Sequence, residues 1–432
     1  MEGGTRTTRA EILSALSHAL DITEGQATGH AVRTCLLATH LGRTIGLGEH
    51  DLESLYYAAL LKDAGSSANS PRLQRLFGED DSRSRSHFSE WHNSFLGFNI
   101  RRIRASKAPS AELVAELTAT RCQRGSEIAR QLGFGEGAAE AILCIEEHWD
   151  GSGGPQALQG DRIPLVSRIL SLAQTLELFA RAQGPQRAVE VVKARSGRWF
   201  DPELVRGALA LAQDNLLWEE YAVYLQPNAP ALVPPEGAQA ETDSGLDEIC
   251  EAFSRIVDAK SSFTYQHSTR VMNLSVAGGQ RLGVTDLPTL RRAALLHDIG
   301  KLGVSSAILD KNGPLDDRDW HSVREHPKHS YEILSRITGF RRIAEIAGAH
   351  HERLDGRGYW RGVSAVNLDL EMRVLACADV FDALSAERPY RPAMPLPEVY
   401  RIMKSDAGLD QSCVEALWDA VAVNRTLCGG LA

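Results

Sequence analysis

The 432-residue sequence predicts an all-α chain built as two helical bundles in tandem. Three observations predict it. Apolar residues recur at helical spacing along the whole length, strand-like alternation is nearly absent, and the two halves repeat short motifs at matching offsets. The composition, 43% apolar and 24% charged, is that of a globular protein, and the length suffices for two or three domains.

Near the start, Glu11 to Leu20 puts Ile12, Leu13, Leu16 and Leu20 on one helical face. After His267, the residues Val271, Leu274, Gly278 and Leu282 follow spacings of three and four. Asp21, Asp51 and Asp286 are candidate N-caps, and Gly46 and Gly283 are candidate stops. The repeat is carried by Gly29-His30-Ala31-Val32-Arg33 against His267 to Arg270, and by Leu60 to Gly65 against Leu295 to Gly300. Glu147 to Pro155 likewise matches Glu352 to Trp360. Asp150 to Arg168 and Asp355 to Arg373 are both offsets of 18, and Glu127 to Asp150 and Glu332 to Asp355 are both offsets of 23. Two matching offsets argue against chance. The first half carries extra residues between Ser66 and Thr120, of which Asn69 to Pro109, rich in Ser and Arg, reads as a solvated loop. Trp218 and Tyr221, at i and i+3, are placed to close the first bundle. The domain expectation is 1–225, a proline-containing semi-rigid linker at 226–244, and 245–432.

No run of about 18 apolar residues occurs, so no transmembrane span is expected. Met1 to Arg9 is polar and leads into no signal-peptide core, which predicts a cytoplasmic protein. Seven scattered cysteines without CxxC spacing predict reduced thiols in packed positions. A net charge of -9 argues against a DNA or RNA polymer as partner. A small anionic nucleotide can still bind where metals and arginines gather.

The chemistry concentrates in Ala294-Leu295-Leu296-His297-Asp298-Ile299-Gly300-Lys301. On a continuous helix, His297 and Asp298 would stand about 100° apart, and Lys301 would return to their face. An imidazole binds one ion, a carboxylate can bridge to a second, and a lysine can hold an anion. Alone, a His-Asp pair reads as readily as a surface ion pair. It gains weight from His267, His326, the His350-His351 pair and Asp379. Imidazole and carboxylate without thiolate suit Fe, Mn, Ni or Zn in a reactive site rather than a structural zinc.

From about Asp258 to Ala407 the chain resembles the HD-GYP family of cyclic-dinucleotide phosphodiesterases, within the wider HD superfamily of metal-dependent phosphohydrolases. The motifs are His-Ser-Thr-Arg from His267, Leu-Leu-His-Asp-Ile-Gly-Lys ending at Lys301, His-His-Glu-Arg-Leu-Asp-Gly from His350, and Asp-Val-Phe-Asp-Ala-Leu from Asp379. The resemblance implies two divalent ions, Fe or Mn first and Ni or Zn next. His267, His297, Asp298 and Asp379 would hold one, and His326, His350 and His351 the other, with Asp298 bridging. It further implies that Lys301 faces the scissile phosphate and that Arg388 and Arg391 grip the phosphates. The sequence departs from the family twice. Gly358-Tyr359-Trp360 replaces Gly-Tyr-Pro, and Phe263 stands where three-metal members carry a glutamate. Tyr359 and Trp360 suit base stacking, a regulatory-protein contact or plain packing equally. Asp382 reads as a carboxylate that orients a ligand, and His321 and His329 as surface residues.

Aligned on the same motifs, the first half resembles a second, degenerate HD-type bundle. It keeps His30 and Asp63 but sets Lys62 in place of His297, Ser66 of Lys301, Arg121 of His326, Ile145 and Glu146 of the histidine pair, and Gln174 of Asp379. Those replacements are poor ligands, and the two cations would repel a metal. His30 and Asp63 then read as a relic ion pair or packing residues, and the domain as one that folds, senses or forms a homodimer. The function expected is hydrolysis of cyclic di-GMP to linear pGpG and GMP. The alternatives are hydrolysis of 3',3'-cyclic GMP-AMP, or binding of a cyclic dinucleotide without hydrolysis.

Overall fold

A computed structural model describes residues 7–69, 111–226, 229–237, 240–261, 266–311, 313–387 and 392–428. Arg388, Arg391, Phe263 and most of the Ser/Arg-rich insertion lie outside them. The described residues are helical without a single strand, and they divide into two compact units, 8–240 and, with Thr7, 241–428.

In the first unit, α1 (Arg9–Thr23), α2 (His30–Thr44) and α3 (Glu49–Leu61) are followed by α4 (Ala111–Gln131), α5 (Gly135–Leu143), α6 (Leu165–Gln183), α7 (Pro185–Ala194), α8 (Pro202–Leu211) and α9 (Asn215–Val223). The α1 face is as expected: Ile12, Leu13, Leu16 and Leu20 are all buried. Gly46 ends the turn after α2 in the left-handed region that favours glycine, at φ 81°. Asp51 lies in the first turn of α3 rather than at its cap, which is Gly48. Asp21 caps at a distance: from inside α1 it accepts the amides of Gly29 and Ala31, at 2.7 and 3.0 Å, where α2 begins. Tyr221 is buried, and its ring meets that of Trp218 edge-on at 5.6 Å.

The proline-containing segment is not a solvated tether in its described part. Tyr56 Oη donates to Leu232 O at 2.7 Å, Tyr57 Oη donates to Glu236 Oε1 at 2.5 Å, and Leu232 is buried. Two tyrosines of α3 hold it by its backbone carbonyl and a carboxylate.

The second unit comprises α10 (Asp243–Asp258), α11 (His267–Arg281), α12 (Leu287–Leu296), α13 (Ser306–Leu309), α14 (Asp317–Arg324), α15 (His326–Leu334), α16 (Arg341–Gly348), α17 (Leu370–Ser385), α18 (Leu396–Ser405) and α19 (Gln411–Val423). Helix α11 is its axis and packs against α10, α12, α17 and α19. Gly278 allows that: a Cβ there would lie 2.8 Å from Leu417 Cδ2 of α19. Asp286 caps α12 by accepting the Thr289 amide at 3.1 Å, and Gly283 takes φ 77° after α11, both as read from sequence. The six described cysteines with assigned burial, Cys35, Cys122, Cys144, Cys250, Cys377 and Cys413, are free and buried.

Candidate metal centre

The His-Asp motif does not lie on a continuous α-helix. Helix α12 ends at Leu296, His297 is its C-cap, and residues Ile299–Gly303 form a tighter 3₁₀ turn. Gly300 permits the turn to press on the next backbone, since a Cβ would fall 2.1 Å from His326 O. Ser330 pins the approach by accepting from Gly300 N at 2.9 Å and donating to His297 O at 2.6 Å. His297, Asp298 and His326 therefore meet where α12 ends and α15 begins. His267 comes from the start of α11, Asp379 from within α17, and His350 and His351 from the turn after α16.

Asp298 stands between two groups of donors. Its Oδ2 lies 3.3 Å from His267 Nε2 and 3.4 Å from His297 Nε2, and its Oδ1 lies 3.2 Å from His326 Nε2 and 3.6 Å from His350 Nε2. Asp379 Oδ1 is 3.4 Å from His267 Nε2 and 3.8 Å from His297 Nε2, and its Oδ2 is 3.7 Å from His351 Nδ1. Three donor sets have atoms within 4.8 Å of one another among the described residues: His267 with His297 and Asp379, His326 with His350 and His351, and His297 with Asp298 and His350. All seven residues expected to ligate are thus in one place.

The outer nitrogens fix the ring orientations. His297, His326 and His350 each place Nδ1 against the carbonyl three residues back, Ala294, Val323 and Ala347, at 2.8, 2.6 and 2.6 Å. A carbonyl only accepts, so each Nδ1 carries the proton and each Nε2 turns its lone pair inward. His267 does the same with Asp382 Oδ2 at 2.7 Å, and Arg270 holds Asp382 in turn through Nε at 2.5 Å and Nη2 at 3.0 Å. Asp382 is thus an orienting carboxylate, as read from sequence.

The inner atoms fit a divalent ion. His267 Nε2, His297 Nε2 and Asp298 Oδ1 are buried without a hydrogen-bond partner, and His326 Nε2 faces His350 Nε2 at 3.0 Å. Lone pairs this close repel unless a cation or proton lies between them, and buried orphans of this kind are costly. Burial raises the pKa of Asp298, but the charges of His297 and Lys301 outweigh it and hold the carboxyl well below its usual range. Burial lowers His326, drives His351 down to about 3, and with repulsion from the neighbouring imidazoles takes His350 well below its ordinary value. These three rings stay neutral with lone pairs free to ligate. At His297 burial also opposes the charge, but Asp298 reverses it and pushes the ring up to about 9, so without a cation its Nε2 takes up a proton that a bound ion would displace.

Lys301 Nζ donates to Asp298 Oδ2 at 2.5 Å and is only partly covered. The opening also shows at His351, whose side chain is 22% exposed while those of His267, His297, His326 and His350 are at most 1%. Tyr359 lies against His351 at 4.6 Å between centroids, and its amide donates to His351 O at 3.3 Å. Trp360 turns away, packs on Tyr331 at 5.0 Å, and adopts φ 86°, which proline's ring forbids. The loss of proline thus permits a different backbone path, and it separates an aromatic beside the site from one that packs. His321 is exposed as expected, whereas His329 is half-buried against Gly300.

A sequence model of the HD domain matches residues 107–204 and 251–412, more than half of the chain and part of each repeat. The chain belongs to the HD-domain family. A "3'3'-cGAMP-specific phosphodiesterase 3" of Vibrio cholerae is 39% identical over 95% of this chain and 94% of that protein. A "Cyclic di-GMP phosphodiesterase" of Thermotoga maritima is 34% identical over 39% of this chain and 47% of its own. The crystal structure of a cyclic GMP-AMP-specific phosphodiesterase of Vibrio cholerae superposes with a TM-score of 0.67 at 35% identity, covering 97% of this chain and 98% of that one. This HD-domain phosphodiesterase is of the HD-GYP kind, in tandem with a degenerate first HD domain.

The first HD domain retains the supports of the centre and has lost its ligands. Arg33 and Glu177 hold His30 as Arg270 and Asp382 hold His267. Asp21 lies nine residues before His30, as Asp258 lies nine before His267, and Asp258 likewise accepts from the start of the helix that follows, from Ser268 Oγ at 2.7 Å. Gly65 presses on Arg121 O as Gly300 does on His326 O. Glu147 gathers the amides of Gln156 and Leu158, and Glu352 those of Arg361, Gly362 and Val363. His30 is therefore not paired with Asp63, contrary to the relic-pair reading: Asp63 binds Lys62, and Arg121 binds Glu146. Sequence reasoning matched Arg33, Gly65 and Glu147 to their counterparts without their roles, and it missed Asp21 with Asp258, although each lies nine residues before its histidine.

The Asp382 contact yields a prediction. Asp382→Asn should keep the fold but weaken metal retention by about 10- to 100-fold, read by competition with a chelator, because a neutral amide holds His267 less firmly than the carboxylate does.

Proposed function

We propose that the second domain hydrolyses a phosphodiester bond of 3',3'-cyclic GMP-AMP, using two divalent ions. Support for this substrate is a relative specific for cyclic GMP-AMP that matches through both domains, over 95% of the chain, whereas the cyclic di-GMP phosphodiesterases of Thermotoga maritima, Xanthomonas campestris and Pseudomonas aeruginosa match over 39%, 44% and 40%. That ordering favours the cyclic GMP-AMP alternative over the cyclic di-GMP expected from the motifs. Support for hydrolysis over mere binding is the full set of seven donor residues, with Asp298 at its middle. The nitrogen and oxygen donors suit Fe or Mn, and Ni or Zn as well.

When bound, the ions supply an activated water and Lewis-acid polarisation of the phosphate. His267, His297 and Asp379 would form one side, and His326, His350 and His351 the other, with Asp298 in common. The inward Nε2 atoms are set before the ions arrive, so little reorganisation is needed. Lys301 sits on Asp298 at the partly open side, where its ammonium can offset charge growing on the phosphate oxygens. Arg388 and Arg391, by their resemblance to the family motif, are assigned to the phosphates of the dinucleotide.

Turnover of 3',3'-cyclic GMP-AMP and cyclic di-GMP by metal-reconstituted protein tests the reading. The expected result is a higher kcat/KM for cyclic GMP-AMP; preference for cyclic di-GMP would overturn the substrate assignment. Variants separate binding from chemistry. Lys301→Ala should retain the metals and lower kcat on the order of 10²-fold, whereas Arg388→Ala should raise KM by roughly tenfold. Equal loss of metal in both would show that these two residues are structural.

A further inference from the structure

We propose that α14 supplies a purine-stacking face at the mouth of the centre, formed by Trp320 and Arg324 and continued by Tyr359. The inference rests on the reading of a nucleotide substrate. It starts from the direction in which the site opens. His351 is the ligand candidate with an exposed side, and Tyr359 lies against it. The Arg324 guanidinium carbon lies 5.9 Å from the Tyr359 ring centroid and 5.5 Å from that of Trp320. Trp320 is 43% exposed, a large apolar ring left facing solvent, and Arg324 is exposed too. Ring, cation, ring and imidazole thus run in one row from solvent to the metal centre.

A row of this kind has a chemical preference. Its faces are flat and apolar, and its charge is positive, so it suits a flat, electron-rich ring attached to a phosphate. Aromatic side chains and arginine planes take nucleobases by stacking, whatever the base. The position limits the ligand further: a base on Trp320 or Arg324 would belong to a nucleotide whose phosphate reaches the donors beyond Tyr359. The bland reading is a cation–π contact that only staples α14. It gives no reason for Trp320 to stay exposed, since a staple gains by covering the ring.

Helix α14 also leads into the site. It begins with an Asp316 capping box and ends at Arg324, two residues before His326. The face is therefore fixed to a ligand-bearing element rather than carried on a free loop.

Steady-state kinetics on cyclic GMP-AMP tests the proposal. Trp320→Ala and Arg324→Ala should each raise KM on the order of tenfold, with kcat within about threefold and metal content unchanged. Trp320→Phe keeps a ring and should keep KM within about twofold. An unchanged KM in both alanine variants would overturn the proposal, as would loss of metal in step with activity, which marks a structural helix. A second measurement needs no turnover: GMP should quench the tryptophan fluorescence of the wild type, and Trp320→Phe should abolish most of that quench. Absence of the quench overturns the stacking face. An inert wild type that is still quenched through Trp320 overturns the hydrolysis reading instead.

Discussion

Asp298→Ala is expected to strip most of the bound divalent metal and essentially all turnover from the protein while leaving its helical circular dichroism in place. Asp298 is the residue whose two oxygens face the two donor groups, His267 and His297 on one side, His326 and His350 on the other. Loss of any single histidine leaves the opposite group whole. Loss of Asp298 removes an anion from both, and it frees Lys301, whose ammonium would then repel the ions that its partner had drawn in. The fold should survive because the backbone of the motif is held independently, by Ser330 between Gly300 and His297 and by the fit of Gly300 on His326. Asp298→Asn sharpens the test. It keeps the volume and one acceptor oxygen but removes the charge, so metal content should lie between the alanine variant and the wild type. Elemental analysis beside circular dichroism reads both. Wild-type turnover in Asp298→Ala would refute the bridging assignment.

The cluster of candidate ligands was legible because its residue types are rare on a helical apolar face and recur at motif positions. His297 and Asp298 follow Ala294-Leu295-Leu296, where polar residues need a reason, and the reason is a centre buried among helix ends. The local geometry was less legible. Helical periodicity runs smoothly into His297-Asp298, and nothing in it marks the change to a 3₁₀ turn, which depends on the backbone of α15 approaching Gly300. Tertiary contacts of long reach were hidden for the same reason. Tyr56 meets Leu232 across 176 residues, so the proline-containing segment read as a linker from composition alone. Arg270 and Asp382 are 112 apart. Here a signal existed: Arg33 follows His30 by three residues as Arg270 follows His267, and Glu177 follows Glu147 by 30 as Asp382 follows Glu352, so carrying the repeat comparison beyond the ligands would have exposed both triads.

Lys62→Met should destabilise the first domain by about 3 kcal/mol, lowering its thermal midpoint by roughly 6–12 °C. The two cations of this domain occupy the electrostatic places that metals would take in the other. Lys62 stands at the position of His297 and binds Asp63, the counterpart of Asp298, with both side chains at most 4% exposed. Arg121 stands at the position of His326, lies 4.0 Å from the same carboxylate, and binds Glu146. Burial raises the pKa of Asp63, yet Lys62, His30 and Arg121 together hold it below its ordinary 3.8. That stability is therefore present above the unfolded pKa and is lost as the pH falls through the lower folded value. Methionine keeps the apolar stem of lysine and removes the ammonium, which leaves Asp63 ionised in a buried site. Lys62→Met/Asp63→Asn should recover most of the loss, because the uncompensated charge has gone. A chelator, by contrast, should lower the thermal transition of the second domain and leave that of the first. Measured by calorimetry on the full chain, a Lys62→Met protein as stable as wild type, or a first transition that chelation lowers, would show that the lysine does not stand in for a metal.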